Sequence, residues 1–214
     1  MKTYSKIVIL FVALLLLVPT AEAQRKRHKS SRQFDFELRG GVNFCQIDGD
    51  GSAHYNKLGF HGAVNTSYPI SDDGTWRLLF EIGVSQKGSH IVNSSVNRVI
   101  ALTYVEVPLM LTFNAVNNQL RIGMGVAPSI LAASKVTTDG VHDADHSQNY
   151  KRMDPLPFCA GVRYRFNDHL GADVRYYASM LNVAKDNSVG TYFLVRSNKG
   201  QFNRLITAGL TLSF

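Results

Sequence analysis

The side chains able to do chemistry are charged residues that recur at every second position. Asp35, Glu37 and Arg39 alternate with Phe34, Phe36 and Leu38, and Arg77 and Glu81 alternate with Leu78, Phe80 and Ile82. The same parity carries Lys87, Glu106, Arg121, Arg163, Arg165, Asp173 and Arg175. Two carboxylates on neighbouring strands, Glu81 and Glu106, have the makings of a general acid–base pair. Arginines at the same parity argue for another chemistry. The predicted arrangement is a charge network of Glu37, Arg39, Glu81, Glu106, Arg121, Arg163, Asp173 and Arg175, in which arginine holds Glu81 and Glu106 ionised.

Other candidates are thinner. Asp48, Asp50, Ser52, His54 and Asn56 have the spacing of a calcium loop, but the closing bidentate glutamate is missing and Asp-Gly-Asp-Gly is turn chemistry. His142, Asp143, Asp145 and His146 offer transition-metal donors in a polar segment that also reads as a plain loop. Cys45 and Cys159 share the inward parity, and an oxidising compartment permits a bridge. They fall on the first and sixth strands, however, which are not neighbours in an eight-strand meander. No His–Ser pair occupies the outward parity, so a lipid-acting barrel enzyme lacks its nucleophile and base; His61 faces the other way, beside Ser67 and Glu81. Neither an enzyme nor a cofactor is expected.

These residues need strands to place them. Alternation with period two runs through 34–45, 58–70, 76–87, 101–113, 119–131, 156–166, 170–181 and 205–214, making eight strands. Short turns at 71–75, 114–118 and 167–169 alternate with long loops at 46–57, 88–100, 132–155 and 182–204. The predicted fold is all-β: an eight-stranded antiparallel up-and-down transmembrane barrel with short periplasmic turns and longer extracellular loops. The greasy parity then meets lipid and the charged parity fills the lumen. Leu79 is on the inward face, where a charge is expected to be better tolerated than at the outward Phe80. Glycines of the inward parity, among them Gly41, Gly83, Gly161, Gly171 and Gly209, leave room for long arginines. Aromatics gather at the turn-side ends as an interface girdle: Phe34, Phe36, Tyr68, Trp76, Phe113, Tyr164, Phe166 and Phe214. A soluble ligand barrel would reverse the two faces. An aqueous porin needs a wider lumen than eight strands enclose.

The chain of 214 residues is 45% hydrophobic and 18% charged, which excludes a disordered protein, and its 2 cysteines cannot build a disulfide scaffold. Lys2 and Lys6, the apolar run 7–18 and Ala21-Glu22-Ala23 predict a cleaved signal peptide over 1–23. Twelve helical residues span about 18 Å, short of the roughly 30 Å hydrocarbon core. Loss of two lysines and one glutamate with that leader lowers the net charge from +7 to +6. Arg25, Lys26, Arg27, Lys29 and Arg32 place most of it in a basic periplasmic tail over 24–33, ahead of the barrel domain 34–214. A basic tail beside a bilayer suits anionic headgroups or solvent, and nucleic acid is not an expected partner.

The chain ends Thr207-Ala-Gly209-Leu-Thr-Leu212-Ser-Phe214. This resembles the C-terminal insertion signal of outer-membrane barrels, with Thr207, Gly209, Leu212 and Phe214 in the signature places; barrel-insertion machinery and outer-membrane lipids are the implied partners. Gly40-Gly-Val-Asn43, Ile47-Asp-Gly-Asp-Gly51, Asn56-Lys-Leu-Gly59, Phe80-Glu81-Ile-Gly-Val-Ser-Gln-Lys-Gly88 and Tyr104-Val-Glu106-Val-Pro108 resemble the PorT-like outer-membrane β-barrel family of the Bacteroidota over nearly all of 34–214. The resemblance implies an integral outer-membrane barrel. The family's namesake serves type IX secretion, and most members have no assigned role. The expectation is a non-enzymatic barrel with a side-chain-plugged lumen and a structural or loop-mediated binding role. Its loops are the expected place for an extracellular or secretion-system partner. A type IX component is the alternative, and a small porin or a lipid A-modifying enzyme stands further off.

Overall fold

A computed structural model describes residues 34–50, 54–93, 96–116, 118–147, 149–185 and 200–214; the leader expected over 1–23 and the basic tail expected over 24–33 lie outside the described residues. In chain order the elements are β1 (Asp35–Asp48), β2 (Lys57–Pro69), β3 (Trp76–Asn93), β4 (Val96–Glu106), β5 (Leu109–Ala115), β6 (Leu120–Val126), β7 (Ser129–Thr138), β8 (Val141–Asp143), α1 (Ala144–Ser147), β9 (Met153–Asp154), β10 (Pro157–Arg165), β11 (Leu170–Ser179) and β12 (Phe202–Ser213). All pairings are antiparallel. β2 joins β1 and β3, β3 joins β4 and β5, and β5–β6–β10–β11–β12 continue until β12 pairs β1, from Glu37↔Ser213 to Asp48↔Phe202. The path closes on itself, so eight strand positions form a ring.

Three of those positions are split, and proline is the reason. Pro108 separates β4 from β5, Pro128 separates β6 from β7, and Pro157 opens β10. Proline has no N–H to give the ladder. Their carbonyls keep the ring joined: Glu81 N–H donates to Pro108 O (2.9 Å), Val107 N–H to Pro128 O (2.9 Å) and Ala127 N–H to Pro157 O (2.8 Å). The interruptions run diagonally across adjacent strands without opening a slot between them.

The long connections differ from expectation in two places. The segment 88–100 is a hairpin rather than a loop, because β3 and β4 stay paired from Gly83↔Glu106 to Asn93↔Val96. Within 132–155, β7 runs on to Thr138 and turns back into β8 through Asp139-Gly140 (φ +50° and +82°). That is the two-residue Asp-Gly turn whose positive φ values match strand twist. At the opposite end, Asp73 ties the turn between β2 and β3. It accepts hydrogen bonds from Ser71 Oγ (2.5 Å), Thr75 N–H (3.1 Å) and Thr75 Oγ1 (2.5 Å), which hold its carboxyl down at about 2. Gly74, at φ +72°, makes the reversal.

The two faces are inverted relative to a water-soluble protein. Leu58, Phe60, Val64, Ile82, Met124, Val174 and Leu210 are more than half exposed, while Glu37, Lys87, Asp173 and Thr207 are buried. Phe36 to Phe44 on β1 marks an apolar band about 20 Å tall for a strand tilted about 40°. Water would not tolerate such a continuous apolar surface, whereas hydrocarbon requires it. At the turn-side edge of the band Phe34 stacks with Tyr68 (4.8 Å between centroids), Trp76 with Phe113 (5.1 Å) and Tyr164 with Phe166 (5.6 Å), as an interfacial girdle does.

Sidedness and depth can be checked together. Phe80→Arg, at mid-band, is expected to cost about 2–4 kcal/mol of folding free energy in lipid vesicles, and Phe36→Arg, in the girdle, about 1 kcal/mol or less. Urea unfolding followed by tryptophan fluorescence measures both. Equal costs, or the reverse order, contradict the placement of the band.

Candidate functional site: the lumen and its mouth

The inward side chains form strata. Nearest the short turns, Glu37 lies between Arg163, whose Nη1 contacts its Oε1, and Arg121 Nη1 at 3.5 Å. Arg121 also reaches Asp35 (3.7 Å), which Arg77 holds at 2.7 Å. Arg77 donates to Ser67 Oγ and Ser67 O, each at 3.0 Å, and Arg163 donates to Ser213 Oγ at 2.9 Å.

The next stratum is a closed ring of four charges. Arg39 Nε binds Asp173 (2.7 Å) and Arg175 Nε binds the same carboxylate (3.1 Å). Glu81 receives Arg175 Nη1 at 3.0 Å and Arg39 Nη1 at 3.6 Å. Each acid touches both arginines, and β1, β3 and β11 are tied across the lumen. Arg39 also donates to Thr207 Oγ1 (2.5 Å). Glycine makes room here: a Cβ on Gly161 would come within 2.5 Å of Arg175 Cγ, and one on Gly209 within 2.9 Å of His61 Nε2. Above the ring, Asn43 donates to Ser85 Oγ (3.1 Å) and its Oδ1 meets His61 Nδ1 (2.7 Å).

Glu106 stands apart from this ring, and among the described residues its ion-pair partner is a lysine, not an arginine. Lys87 Nζ lies 2.5 Å from Glu106 Oε1 and 4.9 Å from the centre of the Tyr104 ring. Lys87 shares the alternation of the charged face, but a lysine counted among several bases gives no sign of which acid it meets. Asp154 and Ser179, hydrogen-bonded to each other, complete this upper level. Asp154 escapes sequence reading because it sits in a two-residue strand beside Pro155, within a stretch that reads as loop.

Between the charged levels lies an apolar layer of Cys45, Leu79, Met110, Ala127, Cys159, Tyr177 and Leu205, all buried. Leu79 is buried in this layer opposite Met110 on β5, and Arg175 of the charged ring reaches into it, its Nη1 3.8 Å from Met110 Sδ and 3.4 Å from the Tyr177 hydroxyl. Both cysteines are free thiols in this layer. A second apolar cluster caps the loop end: Ile47, Ile91, Ile100, Leu102, Tyr104, Val136, Tyr150 and Val183. Tyr150 and Val183 come from loops, held by the Tyr150↔Ala184 bridge and by Lys151 N–H donating to Val183 O (2.7 Å).

Of the loop residues with metal-ligating potential, Asp48, Asn56, His142, Asp143 and His146 are turned to their neighbours. Asp48 is bound by Arg204 Nε and Gln46 Nε2, each at 2.6 Å. Asn56 Oδ1 accepts from His90 N–H (2.9 Å). His142 meets Val136 O (3.1 Å), and His146 meets Asp143 (2.7 Å). Ser52 lies outside the described residues. Of the terminal residues, Thr207 is buried beside Arg39, Gly209 lies under His61, Leu212 is half-buried and Phe214 is exposed. Above the apolar cap is a hollow of about 410 Å³, lined among others by Ile91, Ile100, Val136, Tyr150, Arg98 and Lys185.

The sequence matches the family model for the outer membrane protein β-barrel domain over residues 22–185. No curated protein matches the chain. Among solved structures, Neisserial surface protein A is similar at a TM-score of 0.52 and 13% identity, covering 84% of this chain and 97% of its own. Ail, the attachment invasion locus protein of Yersinia pestis, is similar at 0.49 and 14% identity, covering 85% of this chain and 99% of its own.

Two measurements probe the strata. Lys87→Met leaves Glu106 buried without a cation and is expected to cost about 3–5 kcal/mol, with much of the loss recovered in Lys87→Met/Glu106→Leu. A double-mutant cycle from unfolding curves in detergent reads this, and additive losses contradict the pairing. Iodoacetamide is expected to label neither Cys45 nor Cys159 in the folded barrel and both after heat unfolding, as read by intact mass. Labelling of the folded form, or a persistent mass deficit of two hydrogens, overturns that reading.

Proposed function

The chain belongs to the outer membrane protein β-barrel domain family, and from that premise we propose that it works as a closed, non-conducting, non-enzymatic barrel whose stapled lumen is a rigid pedestal for binding at its long-loop end. The observation that carries this reading is the four-charge ring of Arg39, Asp173, Arg175 and Glu81, which spans the lumen between opposite walls. Both carboxylates are already committed to guanidinium groups, and Glu106 is committed to Lys87, so none is poised for proton transfer. The network is a plug: its eight sequence-defined members and Lys87 hold the wall in one shape.

On this reading the leader 1–23 is removed during export, the basic tail over 24–33 stays on the periplasmic side, and the strand ending in Phe214 is the segment engaged by insertion machinery. The PorT-like phrases around Glu81 and Glu106 support a Bacteroidota origin. A secretion-associated role is the second reading those phrases carry, and loss of cargo export on deletion separates it from loop-mediated binding.

The protein is expected to fractionate with the outer membrane, to begin at Gln24 and to migrate differently on a denaturing gel before and after boiling. In planar bilayers it is expected to show no stable ion conductance. Glu81→Gln/Glu106→Gln is expected to destabilise the barrel by several kcal/mol with no accompanying catalytic defect. Steady wild-type conductance, or recovery from the soluble periplasm, overturns the proposal.

A further inference from the structure

We propose that the turn-end mouth of the lumen takes a phosphate group, carried as a phosphomonoester dianion and seated on Arg165 and Gln119 over the Arg121–Arg163 pair. This goes beyond the loop-end reading above and does not depend on it. Arg121 on β6 lies directly opposite Arg163 on β10, and both are buried on the inward face. Two positions nearer the mouth, Arg165 N–H donates to Gln119 O (2.8 Å), which sets those two residues opposite each other on the same parity. Three guanidinium groups and one amide thus occupy the corners of a single cross-strand patch, with Asn118 at its rim. Among the described residues no carboxylate lines the cleft they form. Arg165 is half-buried, and Gln119 and Asn118 are exposed, so the patch is open from the turn end.

Like charges placed directly opposite each other on a sheet repel. Glu37 relieves part of this: Arg163 Nη1 contacts its Oε1, and Arg121 Nη1 lies 3.5 Å from the same atom. Arg165 has no ion pair and no side-chain hydrogen bond among the described residues. Its charge acts on Glu37 and on Arg77, but Glu37 is already taken and Arg77 holds Asp35 at 2.7 Å. Four guanidinium groups therefore share two carboxylates inside this mouth. The acids of the adjoining turns do not close the gap. Asp72, Asp73 and Asp168 make no ion pair with Arg121, Arg163 or Arg165, and Asp73 spends its carboxylate on Ser71 and Thr75. Charges on exposed turns are also screened by salt, whereas buried ones are screened much less. The segment 24–33, next in sequence to Phe34, carries basic residues and no acid. A phosphomonoester brings about −1.5 to −2 charge and three terminal oxygens. It meets that surplus more fully than a carboxylate, which has one charge and two oxygens. The free fork of Arg165 takes two oxygens, and the Gln119 amide takes the third. The backbone beneath is pinned, since Gln119 N–H donates to Val116 O (2.9 Å) as Arg165 N–H does to Gln119 O. Little ordering is left for the guest to supply.

The test uses the mature protein in nanodiscs of zwitterionic lipid, with phenyl phosphate as probe and benzoate and dimethyl phosphate as controls, followed by titration calorimetry. Phenyl phosphate is expected to saturate one site, about tenfold more tightly than either control, and to weaken as pH falls through about 6, where it becomes a monoanion. Arg165→Gln is expected to weaken it about tenfold, Arg165→Lys by less, and Arg98→Gln at the loop end not at all, with the heat-dependent gel shift retained in each. A soluble phosphomonoester and a lipid headgroup share this chemistry, and phosphatidate added to the nanodisc separates them. Competition assigns the site to a headgroup and an unchanged titration to a soluble guest; either result supports a phosphate site. Three outcomes overturn the proposal: no saturation at millimolar phenyl phosphate, benzoate binding as tightly as phenyl phosphate, or unchanged affinity in the folded Arg165→Gln variant. A barrel that conducts ions yet binds phenyl phosphate would sink the plug and leave this site standing.

Discussion

Closure of β1 on β12 is the constraint on which the rest depends. The two strands pair over twelve positions, from Glu37↔Ser213 to Asp48↔Phe202, and so leave neither edge of the sheet open. In hydrocarbon each unpaired backbone group costs several kcal/mol, because nothing outside the chain can satisfy it. The proline interruptions obey the same rule. Pro108, Pro128 and Pro157 give no N–H, yet each carbonyl accepts from the adjacent strand position, so the wall stays continuous.

Once the ring is closed, polarity is forced inward. Across the band the outward parity is consumed by Leu, Phe, Val and Ile, and the charged side chains at that depth must find their partners within a lumen one side chain deep. Pairing is then an obligation more than a source of stability, since a buried pair roughly offsets its own desolvation while a broken pair does not. Charged levels alternate with apolar ones: the Arg39 ring, the Cys45–Leu79 layer, the Lys87–Glu106 pair and the Ile91–Val136 cap. A purely ionic filling would carry a larger desolvation burden, and a purely apolar one would lose the cross-lumen staples.

Strand number and facing were legible in the sequence because alternation is a local signal. Phe36 and Glu37 differ in exposure for the same reason that they differ in type. Partner choice was less legible. Arg39, Asp173 and Glu81 share a parity, but the meeting of Glu106 with Lys87 depends on stagger between strands, which no single strand encodes. The apolar layer around Leu79 is likewise built from seven residues drawn from several strands. The β7–β8 hairpin has a local signature as well: Asp139-Gly140 between Thr137-Thr138 and Val141 is a strong turn signal. The loop-end hollow had no local signature, since Ile91, Arg98, Val136, Tyr150 and Lys185 come together only through the fold.

Arg39 carries a consequence for the order of events during assembly. It lies on the first strand, while its partners Asp173 and Thr207 are 134 and 168 residues further along the chain. A nascent β1–β2 hairpin therefore carries an uncompensated guanidinium that resists entry into the bilayer. Glu81 on β3 brings a first counter-charge, and the full set of partners is assembled only when Asp173 arrives on β11 and Thr207 on β12. Contacts of such separation make folding slow and concerted, and they make the first strand wait for the last. A chain cut short of β11 would leave Arg39 without its Asp173 partner, which gives a quality-control system a feature by which to tell unfinished barrels from finished ones.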